Sequence, residues 1–207
     1  MKNLCIILVS ALFLISCGQI SDNAVSKHGQ LSVEGTSMVD EHGEKVMLKG
    51  VSYGWHNWWP RFYNEETVKV FAEDWECTVV RAAMGVGPDS GYTDKPIWSQ
   101  DLIESVVKGA IANDIYVIID WHSHHIFQDE AVEFFSNMAE KYGESPNIIY
   151  EIYNEPGFGR DDWIKIKAYN EAVVSAIRVI DPDNLIVVGT PQYSSAVDVA
   201  TASPLST

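Results

Sequence analysis

Asn154-Glu155-Pro156 stands directly after the apolar run Ile148-Ile149-Tyr150-Glu151-Ile152-Tyr153. A buried strand is built from β-branched and aromatic residues, and an amide beside a carboxylate at its exit serves no packing purpose. Carboxylates are seldom fully buried without a partner. The pair has the make-up of a proton-transferring acid with a hydrogen-bonding neighbour. Asn and Glu are also ordinary loop residues, and Pro156 could be a turn residue before a helix near Asp161. The segment alone supports both readings about equally, and the rest of the chain separates them.

Two other groups could carry chemistry. His122-Ser123-His124-His125 contains the H-x-H spacing found in some metal centres. No histidine follows His125 and no cysteine cluster exists, so the donor set a metal requires is short. No metal and no cofactor are expected, and His124 and His125 read as loop residues near a cleft. The run Trp55-His56-Asn57-Trp58-Trp59 could stack on the apolar faces of sugar rings. Aromatic residues also fill cores, and the chain's 7 Trp, 9 Tyr and 7 Phe do not decide between the two.

The elements that must position these groups follow a β/α rhythm. Residues 31–47 read as a hairpin turning at Asp40-Glu41-His42-Gly43. Strand candidates follow over 46–53, 77–84, 115–122, 148–153 and 185–188, with helix candidates over 65–75, 101–112, 130–142, 163–180 and 194–202. The strands are nearly continuous apolar runs, as parallel strands covered on both faces are. The helices carry 3.6-residue spacing, as in Ile166, Tyr169, Val173, Ala176, Ile177 and Ile180. Alternation of this kind indicates a parallel sheet. No G-x-G-x-x-G follows the first strand, which weighs against a dinucleotide fold.

Each strand ends in something polar or aromatic: Ser52, Tyr53 and the tryptophan run; Arg81; Asp120, Trp121 and His122; Asn154 and Glu155; Thr190 and Tyr193. An open sheet concentrates such groups at one switch point, whereas a (β/α)8 TIM barrel spreads them over successive strand ends. Strand alternation adds a test. Asp120 and His122 face the same way, as do Glu151, Tyr153 and Glu155 if the strand continues. With Glu155 at the barrel mouth, Glu151 lies one layer down and Arg81 can reach in to pair with it. A buried charge network is predicted there, because an unpaired buried arginine is too costly.

The 207 residues carry a formal net charge of −15. Phosphate recognition needs Lys and Arg, so no nucleic-acid partner is expected. Residues 1–16 read as a leader: Lys2, then an apolar stretch from Leu4 to Ile15, too short for the roughly 20 residues that span a bilayer. Leu14-Ile15-Ser16-Cys17 resembles the bacterial lipobox, in which a lipid on Cys17 would anchor the protein to a bacterial cell envelope or surface; the membrane is then a partner only through that anchor. Plain secretion is the alternative. Residues 17–29 are small and polar and read as a tether, leaving 30–207 as the folded domain. Cys77 opens an apolar run and reads as a buried small hydrophobe, with no disulfide framework in the mature chain.

Taken in order, Lys49-Gly50-Val51-Ser52, Val80-Arg81-Ala82-Ala83-Met84, the run 116–122 ending Asp120-Trp121-His122, the run 149–156 ending Asn154-Glu155-Pro156, and Ile186-Val187-Val188-Gly189-Thr190-Pro191 resemble glycoside hydrolase family 5, and most closely its bacterial endoglucanases. The resemblance covers roughly residues 30 to 207. It implies a (β/α)8 TIM barrel of which about the first five β/α units are present. It also implies retaining hydrolysis of a β-1,4-linked glucan of the cellulose type, with a β-glucan polysaccharide or oligosaccharide as partner. Glu155 would be the general acid/base and Asn154 would hydrogen-bond a sugar hydroxyl. Arg81 would lie beneath the nucleophile, His122 would line the floor, Trp58 would stack on a sugar, and Tyr193 would support the site from the fifth strand end. His56 falls on no assignable motif position.

The resemblance also implies a nucleophilic glutamate at the end of a seventh strand, in a Thr-Glu-Trp/Phe-Gly type motif, and this sequence contains none. A barrel of this kind typically needs about 250 residues. The chain therefore reads as the N-terminal part of a longer enzyme, truncated at its C-terminal side and inactive by itself. A different class also fits some of the same features: a non-catalytic, surface-anchored polysaccharide-binding lipoprotein. Within the enzyme class, mannan and xylan are alternative substrates.

Overall fold

The computed structural model describes residues 24–206 except 88, 158, 160 and 161. The expected leader, Cys17 and residues 18–23 lie outside the described residues. Five parallel strands form one sheet in chain order: β3 (Gly50–Ser52), β4 (Val79–Gly85), β5 (Tyr116–His122), β6 (Ile148–Glu151) and β7 (Leu185–Val187). Between them run α2 (Glu65–Glu73), α3 (Pro96–Ala112), α4 (Gln128–Tyr142) and α5 (Trp163–Arg178). After β7 come the short α6 (Pro191–Ser194) and α7 (Val197–Ala202). A two-stranded antiparallel hairpin, β1 (Ser32–Glu34) and β2 (Ser37–Val39), precedes the sheet.

Local signals set the helix starts. The Asn64 side chain accepts from the Thr67 N–H at 2.9 Å and caps α2, with Glu65 and Glu66 in the first turn, where the helix dipole favours negative charge. Pro96 opens α3 at the position where a missing N–H is harmless. The sequence reading began this helix five residues late, because Pro96, Ile97 and Trp98 carry no clear 3.6-residue phase.

Alternation along β4, β5 and β6 divides side chains between two faces. Val80, Ala82, Met84, Val117, Ile119, Trp121, Ile148 and Tyr150 pack under the helices in the main core. Val79, Tyr116, Ile149 and partly buried Ile118 and Leu185 face the other side. On that second face the chain departs from expectation. Residues 24–29, read as the end of a flexible tether, are not a tether: Ala24–His28 form α1, and Ala24 and Val25 are 4% and 8% exposed. They pack against Leu31, Val79, Tyr116 and Ile149 and close the sheet at the amino ends of its strands. Val25 N–H donates to Asp114 O at 3.1 Å, the Tyr116 hydroxyl to Gly29 O at 2.7 Å, and His28 Nδ1 lies 2.9 Å from Asp40 Oδ2. Two apolar residues in a polar stretch set no periodicity, so only the tertiary contact reveals the segment's role.

A second departure concerns β6. The strand ends at Glu151, and Tyr153 turns to the helix side, where its ring meets Tyr169 of α5 at 4.9 Å. The alternation expected to run through Tyr153 to Glu155 is broken there. Among the described residues no helix is long and apolar enough to cross a membrane.

If α1 closes the strand ends, a charge at Val25 is buried without compensation. Val25→Asp should lower unfolding free energy by about 2 kcal/mol or more. The same change at Ile164, 80% exposed on α5, should stay within about 0.5 kcal/mol. Urea midpoints measure both, and equal effects would restore the tether.

Candidate active site

The carboxyl ends of β4, β5 and β6 meet on one guanidinium. Arg81 on β4 donates from Nε to Glu151 Oε2 at 2.7 Å and from Nη2 to Glu151 Oε1 at 2.9 Å, the bidentate geometry that suits arginine and carboxylate. The same Nη2 lies 2.9 Å from Asp120 Oδ2 and donates to Asn154 Oδ1 at 2.6 Å, while Nη1 donates to Ser52 Oγ at 3.2 Å. The pairing of Arg81 with Glu151 is the one strand alternation predicted. Burial opposes the charge on Arg81, but Glu151 and Asp120 outweigh it and raise its pKa. Complete burial, then the negative charge of Glu151, push the Asp120 carboxyl above its ordinary range against the pull of Arg81.

His122 stands over this network, with Nδ1 2.7 Å from Asp120 Oδ2. A carboxylate oxygen there makes Nδ1 the donor and leaves Nε2 as the ring's remaining polar atom. Burial, then Arg81, lower the His122 pKa to about 4, so the ring is neutral near pH 7. Arg81 also fixes the Asn154 amide. Its oxygen is the acceptor, so Nδ2 is the donor, and Nδ2 is buried with no protein partner among the described residues. A buried donor left unpaired costs about 1–3 kcal/mol, and a ligand hydroxyl would satisfy it.

Glu155 follows with its side chain 49% exposed. Neighbours on both sides hold its backbone. From the third unit, Trp121 O accepts from Asn154 N–H at 3.2 Å, Ser123 O from Glu155 N–H at 3.4 Å, and His124 O from Gly157 N–H at 3.2 Å. His124 Nδ1 donates to Glu155 O at 3.1 Å and stands 3.8 Å from Glu155 Oε2. From the fifth unit, Ser194 Oγ donates to Asn154 O at 2.9 Å and Tyr193 N–H to Pro156 O at 3.0 Å. Gln192, Tyr193 and Ser194 all have φ between 55° and 60°, a left-handed conformation that costs roughly 1–2 kcal/mol per non-glycine residue. Strain of this kind collects at functional sites.

Arg81, His122, Asn154 and Glu155 thus come together. Trp58 and Tyr193 are at the rim, 59% and 61% exposed. Tyr193 lies 6.0 Å from the His124 ring, and Trp58 stacks on Trp55 at 4.5 Å and 2°. His56 is structural. It is fully buried, its Nδ1 accepts from Gly85 N–H at 3.0 Å, and its Nε2 therefore donates to Ser99 Oγ at 2.9 Å. Burial lowers its pKa to about 4. The sequence places Asp120 at a strand end facing as His122 does and His124 near a cleft, without giving either a role, whereas Ser194 enters through a turn with no sequence signature. Among the described residues no three His, Cys, Asp or Glu side chains group as a metal centre.

Residues 39–206 match the family described as Cellulase (glycosyl hydrolase family 5). The chain belongs to glycosyl hydrolase family 5. It is 47% identical over 202 residues to Endoglucanase Z of Dickeya dadantii, a match covering 94% of this chain and 46% of that protein. It is 40% identical to an endoglucanase of Clostridium saccharobutylicum, covering 86% of this chain and 40% of that one. The chain therefore spans less than half the length of these family 5 relatives. The solved catalytic domain of a Thermobifida fusca endoglucanase superposes with a TM-score of 0.83 at 32% identity, over 89% of this chain and 64% of that domain. A variant of that domain has been solved in complex with cellotetraose. The five-stranded α/β sheet corresponds to part of the family's barrel, which these strands alone do not close.

Removing Arg81 should leave Asp120 and Glu151 buried without compensation. Arg81→Met is expected to lower stability by about 3–5 kcal/mol near pH 7. The folded-state pKa of Asp120 is raised, so its favourable contribution is complete below the unfolded value and is lost as pH rises through the folded one. The deficit of the variant relative to the parent should shrink from pH 8 to pH 5 in paired urea titrations; a constant deficit would contradict the network's role.

Proposed function

We propose that this chain supplies the acid/base half of a retaining endo-β-1,4-glucanase. The observation that carries the reading is the arrangement of Asn154 and Glu155: an amide locked by Arg81 with its N–H donor unpaired, next to a half-exposed carboxyl at a barrel strand end. The amide suits a sugar hydroxyl beside the cleaved bond, and the carboxyl suits the glycosidic oxygen.

In this mechanism Glu155 donates its proton to the leaving oxygen while a second carboxylate attacks the anomeric carbon. The glycosyl ester is then hydrolysed by a water that Glu155 deprotonates. The two carboxyl groups must lie about 5–5.5 Å apart. Neither other carboxylate in the cluster suits the second role. Glu151 is held bidentately by Arg81, and Asp120 is fully buried with Oδ2 shared by Arg81 and His122. The nucleophile is therefore sought outside the described residues. A chain of these 207 residues alone is expected to show no appreciable glycosidase activity, and robust turnover by it would mean that another carboxylate serves.

In an active enzyme that carries these residues together with a nucleophilic glutamate, Glu155→Gln should lower kcat on soluble cellulosic substrate by about 10²–10⁴-fold. It should lower kcat much less on an aryl glycoside whose leaving group needs no proton. Equal losses on both would remove Glu155 from the acid role, and no loss on either would favour a polysaccharide-binding protein. Relative kcat/KM on β-glucan, β-mannan and xylan tests the substrate assignment.

We also propose that Cys17 carries a lipid that anchors the protein at a bacterial cell envelope or surface. Leu14-Ile15-Ser16-Cys17 after a short apolar run supports it. In bacteria expressing the gene, labelled palmitate should enter the protein and be lost in Cys17→Ser. Unlabelled, freely released protein would instead indicate plain secretion.

A further inference from the structure

The third unit sends one side chain back to the acid. His124 lies two residues past β5, in a turn that buried Ser123 ties off: Ser123 Oγ donates to His125 O at 2.7 Å and accepts from His125 N–H at 3.0 Å. From there the imidazole Nδ1 stands 3.1 Å from the backbone carbonyl oxygen of Glu155. A carbonyl only accepts, so Nδ1 carries the hydrogen. We propose that His124 is a positioning residue for the acid/base glutamate, acting through the Glu155 backbone and not on the substrate. The inference rests on the glucanase reading and deepens it.

Each residue has two soft backbone dihedrals, set by how its two flanking peptide planes are oriented. At Glu155 both planes are bonded to the same loop. The plane before it is held where Glu155 N–H donates to Ser123 O at 3.4 Å. The plane after it is held by His124 Nδ1–H on Glu155 O, and one peptide further on His124 O accepts from Gly157 N–H at 3.2 Å. Pro156 adds its own restriction, biasing the residue before it away from the helical region. With both dihedrals held, the direction of the Cα–Cβ bond is held too, and the carboxyl reaches into the cleft from a defined point.

The imidazole is itself braced by three rings. It meets Tyr193 at 6.0 Å and 72°, His122 at 6.3 Å and 76°, and Trp55 at 6.2 Å and 42°. Its Nδ1 stands 3.8 Å from Glu155 Oε2, longer than a hydrogen bond. The donor is thus spent on the carbonyl and not on the oxygens that exchange the proton. In the proposed mechanism Glu155 serves twice, as donor to the leaving oxygen and then as base to a water. Misplacing such a group by 1 Å can cost about a hundredfold in rate.

Two amide variants separate positioning from structure. His124→Asn places an N–H near the Nδ1 position and His124→Gln places one near the Nε2 position, both as polar replacements at a partly exposed site. Nitrogen-15 spectra of labelled histidine in this chain should show the Nδ1–H tautomer at His124, and the Nε2–H tautomer would overturn the proposal whether or not either variant folds. In an active enzyme that carries these residues together with a nucleophilic glutamate, His124→Gln should lower kcat on soluble cellulosic substrate by about tenfold to a hundredfold, with KM changed less than about twofold, while His124→Asn stays within about threefold of the parent. On an aryl glycoside whose leaving group needs no proton, kcat/KM should fall by less than about threefold in both. A loss shared by both variants, or a loss as large on the aryl glycoside, would mark His124 as a structural staple. No loss in either variant would leave it without a role. Each of these overturns the proposal and leaves the glucanase reading standing, whereas a Glu155→Gln enzyme that loses nothing on either substrate overturns the glucanase reading itself.

Discussion

The site depends on one guanidinium. Arg81 bridges three neighbouring strand ends through Glu151, Asp120 and Asn154, and its charge is outnumbered. Two carboxylates against one arginine leave an excess negative charge in a cluster where Asp120 is fully buried. His122 does not supply the missing positive charge, because burial and Arg81 hold it neutral. Complete burial and that excess charge raise the Asp120 pKa. Asp120 Oδ2 is engaged by Arg81 and His122, and Oδ1 is buried with no other partner among the described residues. The cluster thus presents a floor with fixed donors and acceptors. Fixed dipoles of this kind stabilise charge that develops during a reaction without reorganising.

Around that floor the backbone of Asn154–Pro156 is clamped rather than merely connected. The third unit receives its N–H groups at Trp121 O and Ser123 O, and the fifth unit reaches its carbonyls through Ser194 and Tyr193. The left-handed run 192–194 is the cost of that second clamp. An exposed loop would relax such strain, whereas here it is opposed by the bonds from Tyr193 N–H, Ser194 N–H and Ser194 Oγ. Misplacing a reacting group by 1 Å can cost about a hundredfold in rate, which gives a physical reason for keeping a strained brace.

Much of this was legible in the sequence, because strands covered on both faces read as apolar runs and any polar residue at their exits stands out. Arg81, His122, Asn154 and Glu155 were found that way, and the Arg81–Glu151 pair followed from alternation across β5. Alternation failed past the end of β6, even though Ile152 N–H still donates to Val187 O and Asn154 N–H to Trp121 O. β6 closes at Glu151, and Tyr153 goes to the helix side because Tyr169 offers it a ring to pack on. The role of α1 was hidden for another reason. Its burial comes from contacts with Tyr116 and Ile149, about ninety and more residues along the chain, and two apolar residues carry no period. His56 was ambiguous in sequence for the same reason that it is unambiguous in three dimensions: Gly85 N–H and Ser99 assign both of its nitrogens.

The family match and the geometry bear on different parts of the argument. Membership of glycosyl hydrolase family 5 gives the architecture, while the role proposed for Glu155 rests on contrasts among the carboxylates of the cluster. Glu151 is paired with arginine, Asp120 is sealed from water, and Glu155 alone is half open, with its backbone clamped and its side chain free to meet a ligand. In the proposed role a proton donor must reach solvent-borne substrate and later a water, and of the three Glu155 is the open one. In the proposed mechanism its partner carboxylate must remain ionised a short distance away. The unpaired Asn154 Nδ2 points to the same division of labour, since a donor held rigidly beside the acid can orient the sugar but cannot attack it. Under the proposed function these five strands carry the proton-transfer and positioning groups as a self-braced unit, and Glu151 and Asp120, tied to Arg81, do not suit the nucleophilic role.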